Sequence, residues 1–124
     1  MIINNKKVKS ISARLPLQIV QNIKYYIKGA VYSFCNNCKN ETGENTWFSA
    51  YNLFGENNYY WQEPLIELYN YYIELGKTQN LAILSAGKDI GILLKTVLVE
   101  DTRLYEQNYT QRHFQVNSYI LRET

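Results

Sequence analysis

Two cysteines three positions apart are the residues of this chain with the clearest chemical potential. Cys35 and Cys38 frame a Cys-Asn-Asn-Cys run, a spacing at which two thiolates can bind one tetrahedral zinc ion. A closed site needs two further ligands, whereas the chain has a single histidine, His113, and no third cysteine. A redox pair of the thioredoxin kind needs a preceding strand, but these cysteines follow a predicted helix. We therefore predict an ordinary loop at the helix end, with no metal and no cofactor.

Nucleophilic and acid–base catalysis have weak support in the sequence. Either cysteine could meet His113 in space, but this histidine lies in a predicted strand among polar neighbours, which is typical of a surface position. Paired carboxylates would come from glutamates such as Glu67 and Glu74, which share the solvent face of a helix. Gly87 and Gly91 lack the spacing and the preceding strand of a phosphate-binding loop. The sequence therefore favours a protein that is not an enzyme.

Composition is that of a small globular protein. The chain has 124 residues, of which 46% are hydrophobic and 19% charged, so one domain with a real core is expected. Aromatic residues reach 15%, including 12 tyrosines, and 14 residues are asparagine. The first residues lack the apolar core of a signal peptide, which predicts a cytoplasmic protein with free thiols. The asparagine-rich, lysine-over-arginine usage indicates an AT-rich coding sequence, as in many bacteria and mobile elements.

Charge is unevenly distributed along the chain, although the formal net charge is only +2. Residues 1–40 contain seven bases and no acid, residues 41–76 contain six acids and no base, and residues 77–124 are nearly balanced. The basic and acidic segments could lie side by side, so that their charges cancel. Alternatively, the basic segment, residues 1–40, could bind phosphates or an acidic protein patch. Residues 1–12 are predicted to form a basic, flexible arm, and residues 13–124 a single globular domain.

Helical periodicity predicts a first helix from Pro16 to Phe34. Its apolar side consists of Leu17, Val20, Ile23, Ile27, Ala30, Val31 and Phe34. Its solvent side consists of Gln21, Asn22, Tyr25, Lys28 and Tyr32. The run of asparagine, lysine, threonine and glycine at residues 36–45 predicts an irregular segment after this helix.

Further helices are predicted from Thr46 to Gly55, from Pro64 to Gly76 and from Thr78 to Val99. The aromatic turn at Asn57–Trp61 could hold a ligand, but we favour a role in covering the core. Two glycines, Gly87 and Gly91, either divide the last helix or allow close approach of a neighbouring backbone. The apolar arc continues in phase through both glycines, which favours a single helix.

Alternation after Asp101 predicts two strands, Leu104–Tyr109 and His113–Arg122. Phe114, Val116 and Ile120 are predicted on one face of the second strand, with Tyr119 and His113 on the other. The predicted fold is therefore mainly α with a C-terminal β-hairpin, an α+β domain.

This order of elements resembles the winged-helix class of DNA-binding domains. The resemblance is carried by Pro64–Gly76, the turn at Gly76–Thr78, the helix that begins at Gln79, and a wing from Arg103 to Arg122. It implies that the helix after the turn reads a DNA groove and that the wing contacts phosphate. The implied groove readers are Lys88, Asp89, Lys95 and Thr96. The implied wing contacts are Arg103 and Arg112.

Two functions fit these patterns. The favoured one is a small, non-catalytic nucleic-acid-binding module, regulatory or accessory, that binds duplex DNA. Its binding residues are predicted to be Lys24, Lys28, Lys88, Lys95, Arg103 and Arg112. The alternative is a protein–protein interaction or inhibitor module, or a homo-oligomer, that uses exposed tyrosines. Those tyrosines are predicted to be Tyr25, Tyr32 and Tyr71, and Tyr119 is a further member of the set.

Overall fold

The computed structural model describes residues 1–3, 15–54, 61–108 and 117–123. Within these ranges the chain forms four helices and two strands. They are α1 (Leu17–Thr42), α2 (Ala50–Phe54), α3 (Ile66–Glu74), α4 (Gln79–Glu100), β1 (Leu104–Asn108) and β2 (Ser118–Glu123). The two strands pair antiparallel, with Tyr105 opposite Leu121. The predicted class, mainly α with a C-terminal β-hairpin, is confirmed.

Helix α1 is longer than the sequence predicts. It begins after Pro16 and continues through both cysteines for 26 residues. It ends at Gly43, whose φ of +77° is left-handed and whose N–H donates to the carbonyl of Lys39 at 2.9 Å. The predicted irregular segment is therefore wrong up to Thr42. Asparagine lowers helix propensity only modestly, so the helix continues to the glycine that can adopt a positive φ.

The short helix α2 begins later than predicted because Ser49, and not Thr46, caps it. The Ser49 hydroxyl accepts a hydrogen bond from the N–H of Asn52 at 3.4 Å, and the Asn52 side chain accepts one from the N–H of Ser49 at 2.8 Å. Such reciprocal bonds satisfy two backbone donors at a helix start. The later start leaves Phe48 buried and Tyr51 46% exposed.

Helices α3 and α4 form the predicted helix pair. Thr78 caps α4 as expected, since its hydroxyl oxygen accepts from the N–H of Leu81 at 3.4 Å. Helix α4 runs unbroken through Gly87 and Gly91, which confirms one helix. A Cβ atom at either glycine would meet no described atom within 4 Å. The expected close approach of another backbone at these glycines is therefore wrong for the described part of the chain.

Two single-residue bridges extend the hairpin on both sides. Ile2 bridges Tyr105 in parallel, and Phe48 bridges Tyr119 in antiparallel fashion. The backbone N–H groups in these bridges donate to carbonyl oxygens at 2.7 to 2.8 Å. The amino group of Met1 also donates to three carbonyl oxygens, those of Leu98, Asp101 and Arg103. Residues 1–3 thus pair with the hairpin, while residues 4–12 of the predicted arm lie outside the described ranges.

The core lies between α1, α3, α4 and the hairpin. Helix α1 contributes a stripe at four-residue spacing, Ile23, Ile27, Val31 and Cys35. Leu17, predicted on the same side, is 70% exposed because it stands at the first helical position, beyond this stripe.

An aromatic cluster joins the hairpin to this core. The Phe48 ring centroid lies 5.5 Å from that of Phe34, 6.4 Å from Tyr105 and 6.1 Å from Tyr119. The expected outward position of Tyr119 is wrong, because Tyr119, Ile120 and Leu121 in succession are all buried. An alternation of apolar and polar residues identifies the solvent face of a strand only when one face of the sheet is exposed to solvent. The predicted positions of His113, Phe114 and Val116 lie outside the described residues.

Candidate functional site

The exposed face of α1 is polar, and the one acidic residue in the sequence of this helix, Glu41, lies in its last turn. No aspartate or glutamate occurs in residues 1–40. The exposed polar side chains of α1 are Gln18, Gln21, Asn22, Tyr25, Lys28, Ser33, Asn36, Asn37 and Lys39. Tyr25 is 76% exposed, in the outward position that the sequence predicts. A helix of 26 residues is about 39 Å long, so this face is an extended surface.

The two predicted binding lysines of α1 differ in their surroundings. Lys24 Nζ lies 2.9 Å from a carboxylate oxygen of Glu100 at the end of α4. Lys28 is exposed, and its Nζ lies 5.9 Å from the ring centroid of Tyr32. Glu100 offsets the charge of Lys24. The cations that α1 presents to solvent without such an ion pair in the described structure are therefore Lys28 and Lys39.

A buried polar cluster centred on Asp101 lies where α4 ends. The Asp101 carboxylate accepts hydrogen bonds from the hydroxyl of Tyr105 at 2.6 Å, the hydroxyl of Tyr32 at 3.1 Å and the N–H of Arg103 at 3.1 Å. Burial alone would raise the pKa of Asp101, but the hydrogen bonds from Tyr105, Arg103 and Tyr32 outweigh it and lower that pKa. Asp101 therefore stays ionised and ties α1 to β1.

Arg103, a predicted wing contact to phosphate, is packed into this cluster. Its guanidinium carbon lies 3.6 Å from the ring centroid of Tyr32, and its Nε lies 3.4 Å from an Asp101 carboxylate oxygen. The Arg103 side chain is only 11% exposed. The outward positions expected for Arg103 and Tyr32 are therefore wrong, because the turn after α4 folds both onto Asp101. Arg112 lies outside the described residues.

Helix α4 presents few of the predicted groove readers. Asp89 is buried and accepts a hydrogen bond from the hydroxyl of Tyr72 on α3, so its expected role as a reader is wrong. Thr96 donates to the carbonyl of Ile92 in its own helix at 2.9 Å. Lys88 is exposed and Lys95 is half-buried. Because α4 is the central helix, most of its surface is covered by its neighbours.

Tyr71, the third tyrosine of the predicted interaction surface, is also not fully outward. It is half-buried, and its ring centroid lies 5.3 Å from that of Tyr72 in an edge-on arrangement. Of the three predicted tyrosines, Tyr25 alone is strongly exposed.

Exposed apolar side chains divide by type between two sets of elements. The aromatic ones, on α1 and the segment before and within α2, are Tyr25, Tyr26, Trp47 and Tyr51. The aliphatic ones on α3, α4 and the turn between them are Ile73, Leu75, Leu81 and Leu84. Tyr26 was missed from the sequence because it lies at the margin of the apolar side, one position after Tyr25. Its exposed ring contacts Phe54 at 5.8 Å between centroids, which joins α1 to α2.

The cysteines lie within α1 as reduced thiols. Cys35 is buried, and burial raises the pKa of its thiol, whereas Cys38 is half-buried. No group of three histidine, cysteine, aspartate or glutamate side chains is placed to hold a metal ion in the described part of the chain. His113 lies outside that part, as does the predicted aromatic turn except for half-buried Trp61.

Among the helices of the described ranges, none has the length and apolarity needed to cross a membrane. No protein-family model matches the chain, and no curated protein or solved structure is significantly similar to it.

Proposed function

We propose that this chain is a small nucleic-acid-binding module that contacts its ligand through the exposed face of α1. The observation that carries the proposal is the absence of acidic residues from the first 40 residues, combined with exposed Lys28 and Lys39 on one long helix. Lysines neutralise phosphates, and the release of condensed counterions drives such binding. Exposed glutamine, asparagine and tyrosine side chains add donors and acceptors for phosphate, sugar and base edges.

The order of α3, α4 and the hairpin supports a winged-helix arrangement as part of this proposal. In that arrangement α4 would enter a DNA groove, with Lys88 and Lys95 as its cations. Two observations favour α1 over α4 as the contact helix. Asp89 of α4 is held inward by its hydrogen bond with Tyr72, and α4 exposes two apolar side chains, Leu81 and Leu84.

Binding to labelled duplex DNA, followed by fluorescence anisotropy from low to physiological salt, tests the proposal. We expect the affinity to fall steeply as salt rises. The variant with Lys28→Ala and Lys39→Ala should reduce the slope of log K against log salt by about 1 for each phosphate that is no longer neutralised.

Lys88→Ala is the matched control, since Lys88 is exposed on α4. A wild-type slope for this variant supports α1 as the contact helix. A loss of binding in Lys88→Ala alone supports the winged-helix docking mode instead. The absence of binding to any nucleic acid at low salt contradicts the function altogether.

A second function, protein–protein interaction, is favoured by the exposed aliphatic side chains of α3 and α4. Leu81 is 53% exposed and Leu84 is 69% exposed, and they lie one helical turn apart on α4. Contiguous exposed apolar surface of this kind marks contact sites between proteins. Light scattering of the wild type and of the double variant Leu81→Ser, Leu84→Ser tests self-association. A wild-type dimer that the double variant does not form supports this function. A wild-type monomer at every concentration contradicts self-association.

A further inference from the structure

The exposed aromatic side chains of α1, of α2 and of the segment before α2 indicate which form of nucleic acid the module takes. We infer that its ligand is single-stranded nucleic acid, whose bases stack on Tyr25, Tyr26, Tyr51 and Trp47. This inference rests on the proposed function and specifies its partner.

The rings occupy two neighbouring stretches of chain. Tyr25 and Tyr26 lie on α1, and Tyr51 lies on α2 one turn before Phe54, whose ring contacts Tyr26 at 5.8 Å. These contacts place Tyr26, Phe54 and Tyr51 on one continuous surface. Trp47 lies just before α2, with the guanidinium carbon of Arg122 5.7 Å from its ring centroid.

Lys28 gives the α1 part of this surface a positive charge. Residues 17–40 and 45–54 contain no aspartate or glutamate, and Glu41 and Glu44 lie between these two ranges. Lys28 is exposed one turn after Tyr25 on the same helix, whereas Arg122, exposed beside Trp47, pairs with Glu106 at 3.3 Å. Helix α3, the turn after it and the start of α4 carry exposed aliphatic side chains and the exposed acid Glu74, which suits a protein partner and not a phosphate backbone.

Ring type and exposure favour unpaired bases over a duplex. In a duplex the base faces are already stacked on one another and are closed to protein side chains. Unpaired bases expose these faces, and stacking on an aromatic ring tolerates any base sequence. Tyr25, at 76% exposure, has most of its ring free for such a contact.

The experiment compares an oligothymidine of roughly 20 nucleotides, longer than the largest single-domain sites, with a duplex of equal length. We expect the single strand to bind more tightly than the duplex. Tyr25→Ala and Tyr26→Ala should each weaken single-strand binding by about 5- to 100-fold, the range found for loss of one stacking ring.

Two controls separate stacking from loss of structure. Tyr25→Phe keeps the ring and should bind like the wild type. Leu84→Ala removes a side chain of similar exposure from a different helix, α4, and should leave binding unchanged. Circular dichroism of each variant checks that the fold is retained.

The outcomes are distinguishable. Equal binding of both ligands, unaffected by Tyr25→Ala and Tyr26→Ala, overturns the single-strand inference and leaves the proposed function standing. Binding of neither ligand overturns both the single-strand inference and the proposed function. A preference for the single strand that Tyr25→Ala and Tyr26→Ala do not alter overturns the assignment of the rings.

Discussion

The phenol of Tyr105 donates a hydrogen bond of 2.6 Å to the carboxylate of Asp101, four residues earlier in the chain. Both side chains are buried, and the same carboxylate binds Tyr32 of α1. A single ionised group thus fixes the end of α4 against both the first helix and the first strand. Burial raises the pKa of the Tyr105 phenol far above its usual range, so this phenol remains a donor at every physiological pH.

Replacing Asp101 by asparagine should destabilise the fold by about 2 to 4 kcal/mol, because buried donors lose a charged acceptor. The measurement is urea unfolding at neutral pH. Glu100→Gln is the matched control at the adjacent position, where the exposed ion pair with Lys24 predicts a loss of less than about 1 kcal/mol. Equal losses in the two variants would contradict the central role of Asp101.

The acid sensitivity of the fold should depend on the same carboxylate. Because the pKa of Asp101 is lower in the folded state, its stabilisation is fully present above its ordinary pKa of 3.8 and is lost as pH falls through the folded value. We therefore expect the free energy of unfolding to decrease below about pH 4. Asp101→Asn should flatten this decrease, as followed by denaturant unfolding at several pH values. An unchanged acid profile in the variant would exclude Asp101 as its source.

Phe48→Ala should cost about 3 to 5 kcal/mol, the usual range for removing a buried phenylalanine ring. Phe48 is 1% exposed and contacts three aromatic rings between α1 and the hairpin. Thermal and chemical unfolding provide the measurement. Tyr51→Ala, three residues later and 46% exposed, should cost less than about 1 kcal/mol. A reversed order of the two losses would show that Phe48 is not a central core residue.

Substitution by alanine should change the stability in opposite directions at Gly29, inside α1, and at Gly43, which ends this helix. Gly43 ends the helix at a φ of +77°, where alanine is strained, so Gly43→Ala should destabilise by about 1 kcal/mol. Gly29 lies inside the helix, and a methyl group added there would have no described atom within 4 Å, so Gly29→Ala should stabilise by about 0.5 to 1 kcal/mol. Melting temperatures of the two variants should therefore move apart. A stabilising Gly43→Ala would place the end of α1 elsewhere.

The two thiols should differ in reactivity. Cys35 is buried and its thiol pKa is raised, whereas Cys38 is half-buried, so an alkylating reagent should modify Cys38 first. Mass spectrometry over time gives the order of modification. Cys38→Ser should leave a native protein that reacts slowly until denaturant is added. Faster modification of Cys35 would contradict its position in the core.

The parts of the fold that follow from local patterns were predicted well. Thr78 caps α4, Gly76 lies at a φ of +92° after α3, and the apolar arc of α4 continues through its glycines. Each of these features depends on residues within a few positions of one another. The helix pair and the hairpin could therefore be identified from the sequence.

Most of the candidate site depends on contacts between distant residues and was predicted less well. Tyr32 and Asp101 are 69 positions apart, and no local sequence pattern predicts their hydrogen bond. Arg103 and Asp89 look like surface charges in the sequence, yet each is held inward by an aromatic hydroxyl or ring of another element. Tyr25 was predicted well because its exposure depends only on its place in α1.

The bridge between Phe48 and Tyr119 also affects how the chain folds during its synthesis. About 70 residues separate these partners, so at translation rates of about 5 to 20 residues per second the ribosome releases Tyr119 several seconds after Phe48. During that interval the nascent helices have emerged, but the aromatic ring at residue 48 has no sheet to cover it. The part of the Phe48 ring that packs against Tyr105 and Tyr119 therefore stays uncovered by these two rings until the hairpin forms.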